Sequence, residues 1–243
     1  MIKFIDEEGI ISPVKRDLGA TVAVTTFSDH LFGELVKKYG LKQFDVIPGG
    51  IEVPVYEFEV DGKRLVAYQS PVGAPAAVGA LEEVAGGSVK SVVAFGICGA
   101  LADIPTRRLV VPDRAFRDEG TSYHYAPPSD FIELCGSETV AKHLEGCGLK
   151  YVKGGAWTTD GFYRETRSRM DYMRANGCIA VDMECAALQA VCNFRGYDFY
   201  TFFITADSLA GDEWEPNYIL APGATDVETL AASAAVELAK KLC

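Results

Sequence analysis

The sequence predicts an α/β protein: a single domain whose central mixed, mostly parallel β-sheet is flanked by helices on both faces. Two observations carry this. Short apolar segments of strand character alternate with helical segments along the whole chain, the pattern of a sheet covered on both faces. No linker, repeat or low-complexity stretch divides the 243 residues, a length that one large core can hold. With 49% hydrophobic residues to fill that core, residues 1–243 read as one domain.

The elements follow in order. Val22–Thr26 (VAVTT) reads as a buried strand. Ser28 is placed to cap a helix over Asp29–Tyr39, and Gly40 to end it. Val53–Val60 and Arg64–Gln69 flank Asp61-Gly62, a hairpin signal. Pro75 opens a helix to about Ala85, at a position where its missing N–H costs nothing. Ser91–Phe95 (SVVAF) is a buried strand running into a loop, Gly96-Ile97-Cys98-Gly99. Leu109–Pro112 is strand-like, and Arg114–Tyr125 reads as a donor-rich loop after it. Asp130–Glu145 and Glu165–Asn176 read as helices. Cys178–Val181 is a short strand leading into an apolar helix, Met183–Phe194. Phe199–Thr205 (FYTFFIT) is a strand by its aromatic and β-branched content. Thr225–Leu242 is an amphipathic closing helix.

Asp plus Glu exceed Lys plus Arg by 34 to 23, a net charge of −11. An acidic chain without a basic run is a poor nucleic-acid binder, and any anionic substrate must find local cations. Seven cysteines, Cys98, Cys135, Cys147, Cys178, Cys185, Cys192 and Cys243, form no CxxC pair. They predict reduced thiols in a cytoplasmic protein. The acidic start Met1–Ile10 is unlike a signal peptide, and no apolar run approaches the ~20 residues that span a membrane. Three scattered histidines and unspaced thiols point to no metal site, and no cofactor is expected.

In such sheets, ligands sit where strands end and helices begin. Four segments lie at such places: Ser70–Ala77 with Glu82 and Glu83, Gly96–Leu101, Val181–Ala187 and Ile204–Ser208. Glycines there let backbone approach a ligand. Carboxylates there can hold sugar hydroxyls or act as acids. Taken singly, Gly73 and Gly99 are also ordinary turn glycines, Glu184 a carboxylate at a helix start, and Asp207 a helix cap.

Together these segments resemble the nucleoside phosphorylase family I, which spans uridine phosphorylase, hexameric purine nucleoside phosphorylase and methylthioadenosine nucleosidases. Asp182-Met183-Glu184 stands where the family has Glu-Met-Glu, and the resemblance makes Met183 and Glu184 the ribose holders. Thr158–Tyr163 looks like the family's Ser-Asp-x-Phe-Tyr loop, so Phe162 would stack on the base. Gly96–Gly99 is similar to its Gly-x-x-Gly loop, and Gly73-Ala74-Pro75 with Glu83 to its phosphate loop. Asp207 matches the catalytic acid of purine-acting members. Glu165 and Arg167 are nearest to the base-reading Gln-x-Arg of uridine-type members. The resemblance implies phosphorolysis of a (deoxy)ribonucleoside to free base and ribose 1-phosphate, with purine favoured. It also implies a homo-oligomer, a dimer or trimer of dimers.

The phosphate side departs from the pattern. His30 and Ala94 stand at two arginine positions, and Ile51-Glu52-Val53 offers no arginine for a neighbouring site. Phosphate is left with Gly73, Gly99, His30 and Arg117. Two alternatives follow: a nucleoside hydrolase using water, for which only Asp29 and His30 stand near the expected Glu, or a non-catalytic nucleoside-binding protein.

Overall fold

A computed structural model describes residues 4–48, 52–217 and 226–243. Its strands and helices alternate as follows: β1 (Val22–Thr26), α1 (Asp29–Tyr39), β2 (Lys42–Ile47), β3 (Val53–Val60), β4 (Lys63–Gln69), α2 (Ala74–Ala85) and β5 (Ser91–Ala100). There follow β6 (Leu109–Asp118), β7 (Phe131–Glu133), α3 (Ser137–Gly146), β8 (Tyr151–Thr159), α4 (Arg167–Ala175), β9 (Cys178–Asp182), α5 (Cys185–Arg195), β10 (Asp198–Ser208) and α6 (Asp226–Leu242).

One sheet holds all the described strands, in the order β10-β6-β8-β9-β5-β1-β4-β3-β2, with β7 beside β6. The longest pairings, β5 with β10 and β6 with β8, are parallel. The hairpin β3–β4 and the edge strand β2 pair antiparallel. β5 also pairs with β10, so β10, β6, β8, β9 and β5 close into a ring. Closure gathers several strand ends around one mouth.

Two apolar layers cover the sheet. One packs α2 and α5 through Leu81, Val84, Leu188 and Val191. The other packs α1, α3 and α6 through Leu31, Leu35, Leu144, Ala235 and Leu238. A third cluster, around the fully buried Trp157, seats α4 through Met170 and Met173.

The caps follow the sequence closely at α1. The Ser28 hydroxyl accepts the Leu31 N–H, and Gly40 closes the helix at φ 63. Asp61 and Gly62 carry the positive φ values of the hairpin turn.

Elsewhere the structure corrects the expectation. Asp130–Glu145 is not one helix. Phe131–Glu133 adds to the edge of β6, where Phe131 packs edge-on against Phe116, and α3 begins only at Ser137. Gly136 stands between the two, where an added Cβ would come within 2.2 Å of the Phe199 carbonyl oxygen. Gly96–Gly99 is strand, not loop, because β10 pairs with it along its length and Gly99 also pairs with Val181 of β9. Arg114–Asp118 likewise continues β6. The polar edge strand β2 and the glycine-interrupted β8 were not expected. Glu165 precedes α4 rather than lying within it, and Met183 precedes α5. Asp207 lies in β10, so it is not a helix cap. Thr225, the expected start of the last helix, lies outside the described residues. All seven cysteines are free, and Cys98, Cys178, Cys185 and Cys192 are buried.

Candidate functional site

The carboxyl ends of β5, β9 and β10 meet the start of α2 at the mouth of the ring. A cavity of about 230 Å³ opens there. Its walls come from Ile97, Cys98 and Gly99 of β5, Val181 and Asp182 of β9, and Phe203 and Asp207 of β10. Phe27, Ser28, Val72 and Phe162 close its sides. Among the described residues, the apolar walls carry four carboxyls, from Glu165, Asp182, Glu184 and Asp207, and no Lys, Arg or His.

Each carboxyl has its own setting. Asp182 caps α5: Oδ2 accepts the N–H groups of Glu184 (2.9 Å) and Cys185 (2.6 Å), and Oδ1 accepts from the Thr158 hydroxyl at 2.8 Å. Burial pushes its carboxyl up to about 6 against the pull of those bonds. Glu184 Oε1 accepts the Gly73 N–H at 2.6 Å. Burial, with Asp182 nearby, pushes Glu184 up to about 8. Gly73 has φ 97, a conformation other residues avoid, which its place before α2 requires.

Asp207 is aimed by an irregularity. The register of β10 on β5 slips by one residue between Thr205 and Asp207, the kind of bulge that re-aims a side chain at a site. Asp207 Oδ2 then accepts the indole N–H of Trp214 at 2.7 Å. Burial raises Asp207, and the indole lowers it. Glu165 is raised to about 7 by burial and by the charge of Asp207. Carboxyls held near neutrality in an apolar cavity are suited to holding and giving protons.

The cavity brings together Phe162, Glu165, Met183, Glu184, Asp207 and Gly99. Phe162 stands at the rim, 41% exposed, in a short turn with its ring edge-on to Tyr163. Other expected residues lie off its walls. His30 Nε2 faces Glu228 Oε2 at 3.6 Å, between α1 and α6. Arg117 is buried, and it donates to Ser122 Oγ (2.8 Å), the Pro127 carbonyl (2.7 Å) and the Ala126 carbonyl (3.3 Å), while stacking on Tyr123. Arg167 donates to the carbonyls of Gly211 (2.6 Å) and Asp212. Ile51 lies outside the described residues.

Three features were not foreseen: Trp214 on Asp207, Thr158 on Asp182, and the walls formed by Phe27 and Phe203. A half-exposed Trp in a polar loop was the one available signal for the first. Among the described residues, no group of three or more His, Cys, Asp and Glu could hold a metal ion. None of the described helices is long and apolar enough to cross a membrane.

A family model described as the phosphorylase superfamily matches residues 21–242. Among similar proteins is a DeoD-type purine nucleoside phosphorylase of Caldanaerobacter subterraneus subsp. tengcongensis, 28% identical over 160 residues, 63% of this chain and 68% of that protein. A guanosine phosphorylase of Halorubrum lacusprofundi is 29% identical over 154 residues, 60% of this chain and 61% of that protein. A DeoD-type purine nucleoside phosphorylase of Shewanella sp. (strain MR-4) is 27% identical over 140 residues, 56% and 59% respectively. The aligned part of the chain thus spans about two thirds of the first and about three fifths of the other two.

Proposed function

The chain belongs to the phosphorylase superfamily, and from this and the cavity we propose that it cleaves the N-glycosidic bond of a nucleoside, a purine nucleoside in preference to uridine. Phosphate is the acceptor, and free base and ribose 1-phosphate are the products. The observation that carries the reading is the convergence of Phe162, Met183, Glu184 and Asp207 on one cavity from three separate stretches of chain. In this reading Phe162 stacks on the base, Met183 and Glu184 hold the ribose hydroxyls, and Asp207 gives its proton to the purine ring nitrogen. The C1′–N bond breaks with its electron pair passing to the base. That proton neutralises the charge arriving there, while a phosphate oxygen bonds to C1′. Burial raises Asp207 in the direction that keeps such a proton available. The names of the similar proteins favour purine over pyrimidine.

One observation favours a second reading. A dianion is held by cations, and among the described residues the cavity walls carry four carboxyls and no cation. Hydrolysis by water needs no such clamp. A panel of purine and pyrimidine nucleosides, assayed for base release with and without phosphate, separates the two. Phosphorolysis gives ribose 1-phosphate and stops when phosphate is removed; equal rates without phosphate, with free ribose formed, establish the hydrolase.

A further inference from the structure

Asp207 does not stand alone. The indole N–H of Trp214 donates to its Oδ2 across 2.7 Å. An indole nitrogen only donates, so the oxygen facing it must be an acceptor. A proton on this carboxyl is therefore directed to Oδ1. That oxygen lies on the Gly99 side, 3.3 Å from where a Gly99 Cβ would stand, and Gly99 lines the cavity. The indole distinguishes the two oxygens: Oδ2 is held as an acceptor, which leaves Oδ1 to carry a proton.

The loop that presents Trp214 is held from two directions. Ser208 and Glu215 exchange a pair of backbone hydrogen bonds, each 2.9 Å. From α4, Arg167 reaches the carbonyls of Gly211 and Asp212, and Arg174 reaches those of Leu209 and Leu101. Trp214 itself is 48% exposed, so its ring contributes little to the core. A large aromatic side chain left half in water, with its one polar atom on a buried carboxylate, suits a site better than a fold.

We propose that Trp214 is a positioning residue for glycosidic-bond cleavage: its indole orients Asp207 so that the proton sits on the cavity-facing oxygen, and Arg167 and Arg174 hold the loop that carries it. This rests on the nucleoside-cleavage reading above. It places Arg167 in the site only indirectly, through the loop, Trp214 and Asp207. The indole, together with Asp207's own backbone N–H, also favours the ionised form of Asp207 against burial. The other titratable groups of the cavity are Glu165 before α4, Asp182 and Glu184 before α5, and Cys98 on β5.

The test is Trp214→Phe, which keeps a ring and removes the donor, with far-UV circular dichroism and melting compared first. The expected result is a kcat for nucleoside cleavage lower by ~10-fold with KM within ~2-fold, the pattern of misdirected chemistry rather than lost binding. The high-pH limb of kcat moves upward, because Asp207 without the indole keeps its proton longer. Combined with Asp207→Asn, the two substitutions cost no more than Asp207→Asn alone. A folded Trp214→Phe protein with wild-type kcat and pH limb, or additive losses in the pair, overturns the inference and leaves the cleavage reading standing. A wild-type protein that releases no base from any nucleoside overturns the reading itself.

Discussion

The Gly73 N–H donates to Glu184 Oε1 across 2.6 Å, joining the start of α2 to the start of α5 over 111 positions of sequence. One oxygen of the proposed ribose-holding carboxyl is thus fixed before any ligand arrives. A preset anchor of this kind lowers the ordering cost of binding.

The bond depends on a backbone that only glycine accepts easily. A Cβ at Gly73 would meet nothing within 4 Å, so the cost of Gly73→Ala is the φ of 97 itself. The substitution is expected to lower stability by ~1–3 kcal/mol and to raise KM for nucleoside as Glu184 loses its fixed position. Urea unfolding and initial-rate kinetics measure both; unchanged values in both would show that this geometry is not required.

The second prediction concerns pH. An unfolded glutamate titrates near 4.5, whereas Glu184 in the fold is pushed up to about 8. Between those values the folded protein holds a proton that the unfolded chain has released. Unfolding then releases a proton, so raising pH weakens the fold. Glu165, raised to about 7, and Asp182, raised to about 6, act with the same sign over narrower windows. Stability should fall from pH 5 to pH 8, by on the order of 3–4 kcal/mol from Glu184. Glu184→Gln should flatten that slope. Urea unfolding across a pH series measures it, and a slope that Glu184→Gln leaves unchanged would assign the loss to other groups.

Much of this site was legible before the structure, for a physical reason. Glycines and acids where apolar strands give way to helices mark ligand-facing turns, so Glu184, Asp207 and Gly99 could be picked out; Phe162 came from the family resemblance alone, and the four share one cavity. What could not be read is what depends on pairing. Gly96–Gly99 is strand only because β10 and β9 lie against it. Phe131–Glu133 left its expected helix because the edge of β6 was open to it. The bulge that aims Asp207 and the Trp214 indole that holds it belong to contacts between segments, which no local pattern encodes. The acid excess was visible in composition; that, among the described residues, four carboxyls and no cation line the cavity was not.

Close packing at Gly99 gives a third prediction. A Cβ there would stand 2.8 Å from Val181 Cγ1, 3.0 Å from Leu209 Cδ1 and 3.3 Å from Asp207 Oδ1. Gly99→Ala must therefore push apart β9 and the loop after β10, and shift Asp207 Oδ1. A fall in kcat/KM of ~10²-fold is expected from a displacement of this size. Steady-state kinetics on the folded variant tests it; near-wild-type activity would mean that Asp207 is not held where chemistry needs it.

Asp182 supplies the last prediction. The family pattern has a glutamate at this position, but the shorter side chain here turns back to cap α5, and Thr158 completes the arrangement. The Thr158 hydroxyl donates to Asp182 Oδ1 and accepts the Ala186 N–H at 3.0 Å. Both side chains are buried. Thr158→Val keeps the shape and removes both bonds, which leaves a buried carboxylate oxygen and an amide N–H unpaired. A loss of about 2–3 kcal/mol in stability is expected, more than the net worth of either bond, because each stranded group keeps its desolvation cost. Met183 and Glu184 sit on the turn that Asp182 caps, so KM for nucleoside should rise while kcat changes less. If Thr158→Val and Asp182→Asn prove additive in a double-mutant cycle, Thr158 acts independently of Asp182; coupling of at least ~1 kcal/mol is what the shared network requires.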